Sequence, residues 1–93
     1  MASPNSFLVC GLGSIGRRHV RLIRRQLPNA NIAVLRSGFG NSCEEQALVD
    51  SQFKYQNEAL AWCPDAVIIA SPASIHVQQA LFFASHGIPL LIE

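Results

Sequence analysis

Apolar residues fall in short blocks along this chain, separated by glycine, proline and polar breaks. Phe7-Leu-Val-Cys10, Ile32-Ala-Val-Leu35, Ala66-Val-Ile-Ile-Ala70 and Leu90-Leu-Ile92 are continuous rather than alternating. Such runs predict strands, and Phe7–Cys10 and Ala66–Ala70 read as covered on both faces. Phe53-Lys-Tyr55 alternates and predicts a short third strand at the sheet edge. Helical spacing fills the gaps. A helix is expected over Ser14–Gln26, ending before Pro28. At 100° per residue, Ile15, His19, Leu22 and Ile23 share one face, with Val20 and Leu27 at its margin. Arg17, Arg18, Arg21, Arg24 and Arg25 take the other face. Cys43–Val49 predicts a short helix with Ser42 as cap and Glu44 and Glu45 in its first turn. Asn57 is expected to cap another helix running to Trp62. Ser74 is expected to cap the last helix, which carries a stripe of Val77, Ala80, Leu81 and Ala84. Gly87 supplies a left-handed stop there, and Pro89 blocks continuation.

Strands alternating with helices predict an α/β protein with a parallel sheet and right-handed crossovers. The expected architecture is a Rossmann-like doubly wound sheet of about five strands, order 3-2-1-4-5, in one domain over residues 1–93. Ligands of such sheets lie at the C-terminal strand ends, where the connectivity reverses. The loops after Cys10, Leu35 and Ala70, together with Glu93, are therefore expected to line one crevice.

Composition narrows the function classes. The 93 residues are 49% hydrophobic and 14% charged with a net charge of +1, so no general attraction to nucleic acid or membrane is implied. No apolar run approaches the roughly 20 residues that span a bilayer. Five of the seven basic residues sit on the first helix. That face suits either an anionic surface or an ordinary solvated face whose late arginines complement the helix dipole. The second reading is favoured, because no other basic patch supports the first. Cys10, Cys43 and Cys63 lack CxxC spacing, which argues against a disulfide framework and a metal site. With no secretory signal in the first residues, a cytoplasmic protein with reduced thiols is expected.

The chemistry is concentrated in Gly11-Leu12-Gly13-Ser14-Ile15-Gly16, placed between the first strand and the first helix. Gly11 permits the tight turn, Gly13 lets backbone approach a pyrophosphate, and Gly16 lets the helix pack close. The helix start then offers backbone N–H groups and a positive dipole end to the phosphates. A dinucleotide site is the expectation. Sites for NAD place an acidic residue about 20 residues further on, to hold the ribose 2′-hydroxyl. Arg36 stands there instead, followed by Ser37. A guanidinium suits a 2′-phosphate and stacks on adenine. NADP is therefore favoured over NAD, the alternative being a plain surface arginine.

Two stretches together resemble the N-terminal domain of the Gfo/Idh/MocA (glucose–fructose oxidoreductase/inositol dehydrogenase) family. One is the glycine motif followed by Arg17-Arg18-His19. The other is Pro64-Asp65-Ala-Val-Ile-Ile-Ala-Ser71-Pro72 with His76, Ala80, Ala84, Gly87 and Glu93. The similarity covers residues 7–93. It implies that Ser71, Pro72 and His76 lie beside the nicotinamide half and that Glu93 approaches the ribose. For His76, a bond to nearby backbone is the competing role, and His19 reads as structural. The family's catalytic lysine would directly follow Glu93, so no catalytic residue is assigned within the chain, which is expected to stop short of the substrate domain.

The function implied is the cofactor-binding half of an NAD(P)-dependent oxidoreductase. It would move hydride to or from a sugar, polyol or related small molecule held by the second domain, and would be inactive alone. The alternative is a nucleotide-sensing module with a regulatory partner domain. A homo-oligomer is expected, and an apolar fifth strand at a sheet edge predicts self-association.

Overall fold

The computed structural model describes residues 5–36 and 44–93. Five strands, β1 (Ser6–Cys10), β2 (Asn31–Leu35), β3 (Ser51–Phe53), β4 (Ala66–Ile69) and β5 (Leu90–Ile92), form one sheet ordered β3-β2-β1-β4-β5. Every pairing is parallel. The doubly wound α/β architecture and its strand order are those expected.

Side chains alternate along each strand and so divide the core into two layers. Leu8, Cys10, Ala33, Leu35, Val67 and Ile69 pack under helices α2 (Gln56–Ala61) and α3 (Ala73–Ala84) through Ala59, Ala80 and Phe83. Val9, Ile32, Val34 and Ile68 pack under helix α1 (Ser14–Gln26) through Val20. Both faces of β1, β2 and β4 are thus covered, which is why these strands read as unbroken apolar runs.

Helix rotation departs from expectation. On α1 the buried positions are Gly16 and Val20, with Ile23 packed beside them, while Ile15 and Leu22 are exposed. Gly16 has no side chain, so the helix comes nearest the sheet along the Gly16–Val20–Ile23 line. On α3 the buried positions are Gln79, Ala80 and Phe83, while Val77 and Leu81 of the expected stripe are 67% and 66% exposed. Phe83, the largest fully buried side chain, sets that rotation.

Local boundaries moved too. Pro72, not Ser74, precedes the first turn of α3, and Tyr55 rather than Asn57 precedes α2. Strand β3 lies two residues earlier than expected, because Ser51 and Phe53 register against Ala33 and Leu35. Glu44–Leu48 forms a 3-10 turn; Ser42 and Cys43 lie outside the described residues. Gly87, at φ +75°, ends α3 as expected, its N–H reaching the Ala84 carbonyl at 2.9 Å.

The arginine face of α1 is largely engaged with its own fold. Arg24 donates to the carbonyls of Leu48 (2.7 Å), Pro28 (2.9 Å) and Ala30 (2.7 Å) and to Asp50 (3.1 Å). Arg21 pairs with Glu45 at 2.8 Å. These contacts tie the β2–β3 connection to α1. Among the described residues no helix is long and apolar enough to cross a membrane, and no group of three or more His, Cys, Asp or Glu is placed to hold a metal ion.

Candidate functional site

The C-terminal strand ends are stitched together in order. The Gly11 N–H donates to the Leu35 carbonyl (2.8 Å), the Ala70 N–H to that of Cys10 (2.9 Å), and the Arg36 N–H to that of Phe53 (3.0 Å). The described residues that follow β1, β2, β3 and β4 therefore meet on one side. They enclose a cleft of about 790 Å³, within the usual range for small-molecule sites. It straddles β1 and β4, where the connectivity reverses direction.

Each turn glycine meets a different environment. Gly11 has φ +96°, and a Cβ there would stand 2.9 Å from both the Ala70 carbonyl oxygen and Ser71 Cα. A Cβ on Gly16 would overlap the Gly11 carbonyl oxygen and stand 2.9 Å from its carbon. A Cβ on Gly13 would meet nothing within 4 Å among the described residues. Two glycines thus press α1 against the turn and the turn against the β4 loop, while the third leaves its space open to the cleft. Gly13 is also the α1 N-cap and provides no side-chain cap, and the first turn carries no acidic residue. The N–H groups of that turn and the positive helix end are left to an anion. This arrangement fits the pyrophosphate of a dinucleotide.

Of the residues singled out in the sequence, Gly11, Leu12, Gly13, Ser14 and Ile15 line the cleft, as do Arg36, Ser71 and Pro72. Gly16 is buried behind the turn. Ser71 is buried, and its hydroxyl donates to Gln79 Oε1 at 2.5 Å, which gives the amide oxygen of this buried glutamine a partner. His76 lies outside the lining. Its Nδ1–H donates to the Ser71 carbonyl at 3.1 Å, the backbone-bonded role. Glu93 also lies outside, its Oε1 2.7 Å from His19 Nε2. This contact ties the end of β5 to α1. Ser37 lies outside the described residues.

Sequence reading missed the wall beyond β3, where Lys54, Tyr55 and Gln56 line the cleft, and Ile75 and Gln79 of α3 on the opposite side. No signal in the sequence marked it: the β2–β3 register ends β3 at Phe53 and leaves the next residues beyond the strand end. Among the described residues the lining holds two cations, Arg36 and Lys54, and no carboxylate. Cys10, directly below the turn, is held as a thiol because burial pushes its pKa up to about 12. It is a core side chain and not a nucleophile.

A family model described as the oxidoreductase family, NAD-binding Rossmann fold (Gfo/Idh/MocA), matches residues 6–93. No curated protein and no solved structure matches the chain. The family match starts at the first residue of β1 and runs through Glu93, so the sheet, the glycine turn and the cleft all fall inside it. The chain belongs to the Gfo/Idh/MocA oxidoreductase family and carries its NAD-binding Rossmann fold.

Proposed function

We propose that the chain is the cofactor-binding part of an oxidoreductase that uses NADP, with a sugar, polyol or related small metabolite as the other hydride partner. The observation that carries this reading is the charge of the cleft: Arg36 stands where β2 ends, and among the described residues no acidic one lines the wall. An acidic side chain at that place would favour a ribose hydroxyl, whereas a guanidinium favours a phosphate.

The chain's own residues divide the work of binding. The Gly11–Gly16 turn and the first-turn amides of α1 hold the pyrophosphate, and Arg36 holds the adenosine 2′-phosphate. Ser71 and Pro72 bound the nicotinamide half, and His76 steadies that loop from behind through the Ser71 carbonyl. When bound, the cofactor supplies or accepts the hydride. Proton transfer and substrate choice are assigned to a separate substrate domain, so the 93 residues are expected to bind cofactor without turnover.

Parallel fluorescence titrations with NADPH and NADH test the reading. The wild-type chain should bind NADPH more tightly. Arg36→Asp should shift the NADPH:NADH preference by about 2 kcal/mol, or roughly 30-fold, the scale of a charge-assisted hydrogen bond. An unchanged ratio would remove Arg36 from the site and NADP from the proposal.

A further inference from the structure

The cleft wall contributed by the end of β3 has no assigned role in the reading above. The last register pair of β2 and β3 is Leu35 with Phe53. The next positions on the two strands are Arg36 and Lys54, and the Arg36 N–H bond to the Phe53 carbonyl at 3.0 Å keeps them side by side. Adjacent strands run about 4.8 Å apart, and register partners in a parallel pair present their side chains to the same face. Both residues line the cleft. Lys54 is exposed and takes part in none of the three ion pairs of the described residues, which join His19 to Glu93, Arg21 to Glu45 and Arg24 to Asp50.

Two cations at adjacent strand ends on one cleft wall raise the local positive potential there. A phosphate monoester carries a charge of roughly −1.5 to −2 near neutral pH and accepts several hydrogen bonds. It matches a pair of cations better than a single one. A ribose diol, with no charge, gains nothing from the second cation. We infer that Lys54 is the second half of a two-cation site for the adenosine 2′-phosphate, acting with Arg36 across the β2–β3 strand ends as a determinant of NADP specificity. This inference rests on the NADP reading and deepens it. Arg36 supplies a flat, directional fork, and Lys54 a compact charge on a flexible stem. The lysine's contribution is therefore mainly electrostatic and declines with added salt.

Calorimetric titration of the full chain with four probes, NADPH, NADH, 2′,5′-ADP and 5′-AMP, tests this assignment. The proteins are wild type, Lys54→Gln, Lys54→Arg and Arg36→Gln. Lys54→Gln should weaken NADPH and 2′,5′-ADP about tenfold and flatten their salt dependence, as expected when one charge-assisted contact is lost. NADH and 5′-AMP should change less than about twofold, and Lys54→Arg should retain most of the NADPH affinity, because the positive charge remains. Since Lys54 is exposed, both variants should keep the wild-type circular dichroism spectrum. The assignment is overturned if Lys54→Gln leaves the preference for NADPH intact while Arg36→Gln abolishes it; the NADP reading would survive that result. An equal loss for phosphorylated and unphosphorylated probes also overturns it. A wild-type chain with no preference for NADPH would overturn both readings together.

Discussion

Replacing Gly13 and Gly16 separately by alanine should divide the glycine turn into a binding half and a packing half. Gly16 lies inside α1, where intrinsic propensity alone favours alanine by about 1 kcal/mol. Packing opposes this gain. The new methyl would overlap the Gly11 carbonyl oxygen and lie 2.9 Å from its carbon, and a backbone carbonyl cannot rotate aside as a side chain does. Inserting a methyl into a filled site costs about 1–3 kcal/mol, and contact with fixed backbone places this one near the upper end. A net loss of about 2 kcal/mol is expected, lowering the Tm by roughly 8–16 °C in a domain of this size. Gly13 behaves differently. Its φ of −78° and ψ of −166° are open to alanine, and its Cβ would have nothing within 4 Å among the described residues. Reduced unfolded-state entropy contributes about 0.4–1 kcal/mol, which offsets alanine's poorer fit at an N-cap. Stability should therefore stay within about 1 kcal/mol of wild type, while the methyl occupies the space left for pyrophosphate. Thermal melts by circular dichroism, paired with NADPH titrations, separate the two effects. Gly13→Ala should melt like wild type and bind at least tenfold more weakly, whereas Gly16→Ala should lose both properties. A Gly13→Ala chain that binds NADPH normally, or melts as low as Gly16→Ala, would refute the division of roles.

Acid sensitivity, thiol reactivity and association give further checks. Asp50 is held below the ordinary carboxylate range chiefly by the Ile32 N–H at 2.9 Å and then by Arg24, and Glu45 is held down chiefly by its bond to Arg21. Both groups bind protons more weakly folded than unfolded. Their contribution is therefore complete above the unfolded values near pH 4 and is lost as pH falls through the lower folded values. Urea midpoints measured from pH 6 to 2.5 should fall less steeply in Asp50→Asn, and an unchanged acid limb would contradict the assignment. In mass-mapped labelling with a thiol reagent at pH 8, exposed Cys63 should react in the native state and buried Cys10 only after unfolding. Equal native rates would mean the β1 core opens readily. Leu91 and Ile92 on β5 are 50% and 55% exposed, so light scattering should show concentration-dependent association that Ile92→Lys reduces. A wild-type chain that stays monomeric at high concentration would count against that edge as a contact.

Features that the sequence alone determined are governed by neighbours in the chain. Helix α1 occupies Ser14–Gln26 as expected, because the glycine turn starts it and Pro28 limits it, both over short range. Unbroken apolar runs marked β1, β2 and β4, which are covered on both faces, and alternation with helices set the parallel order. The glycine motif and Arg36 were legible for the same reason. Tertiary structure decided what depends on distant partners. Which side of α3 is buried follows from the volume of Phe83 and the Ser71–Gln79 hydrogen bond, and a hydrophobic stripe counted along the helix contains neither. The end of β3 was set by register against β2, which moved Lys54 out of a strand and into the cleft. Glu93 met His19 only because β5 and α1 converge in the fold. Propensity and turn chemistry act over a few residues, whereas burial, register and charge pairing are settled by whichever groups the folded chain brings together.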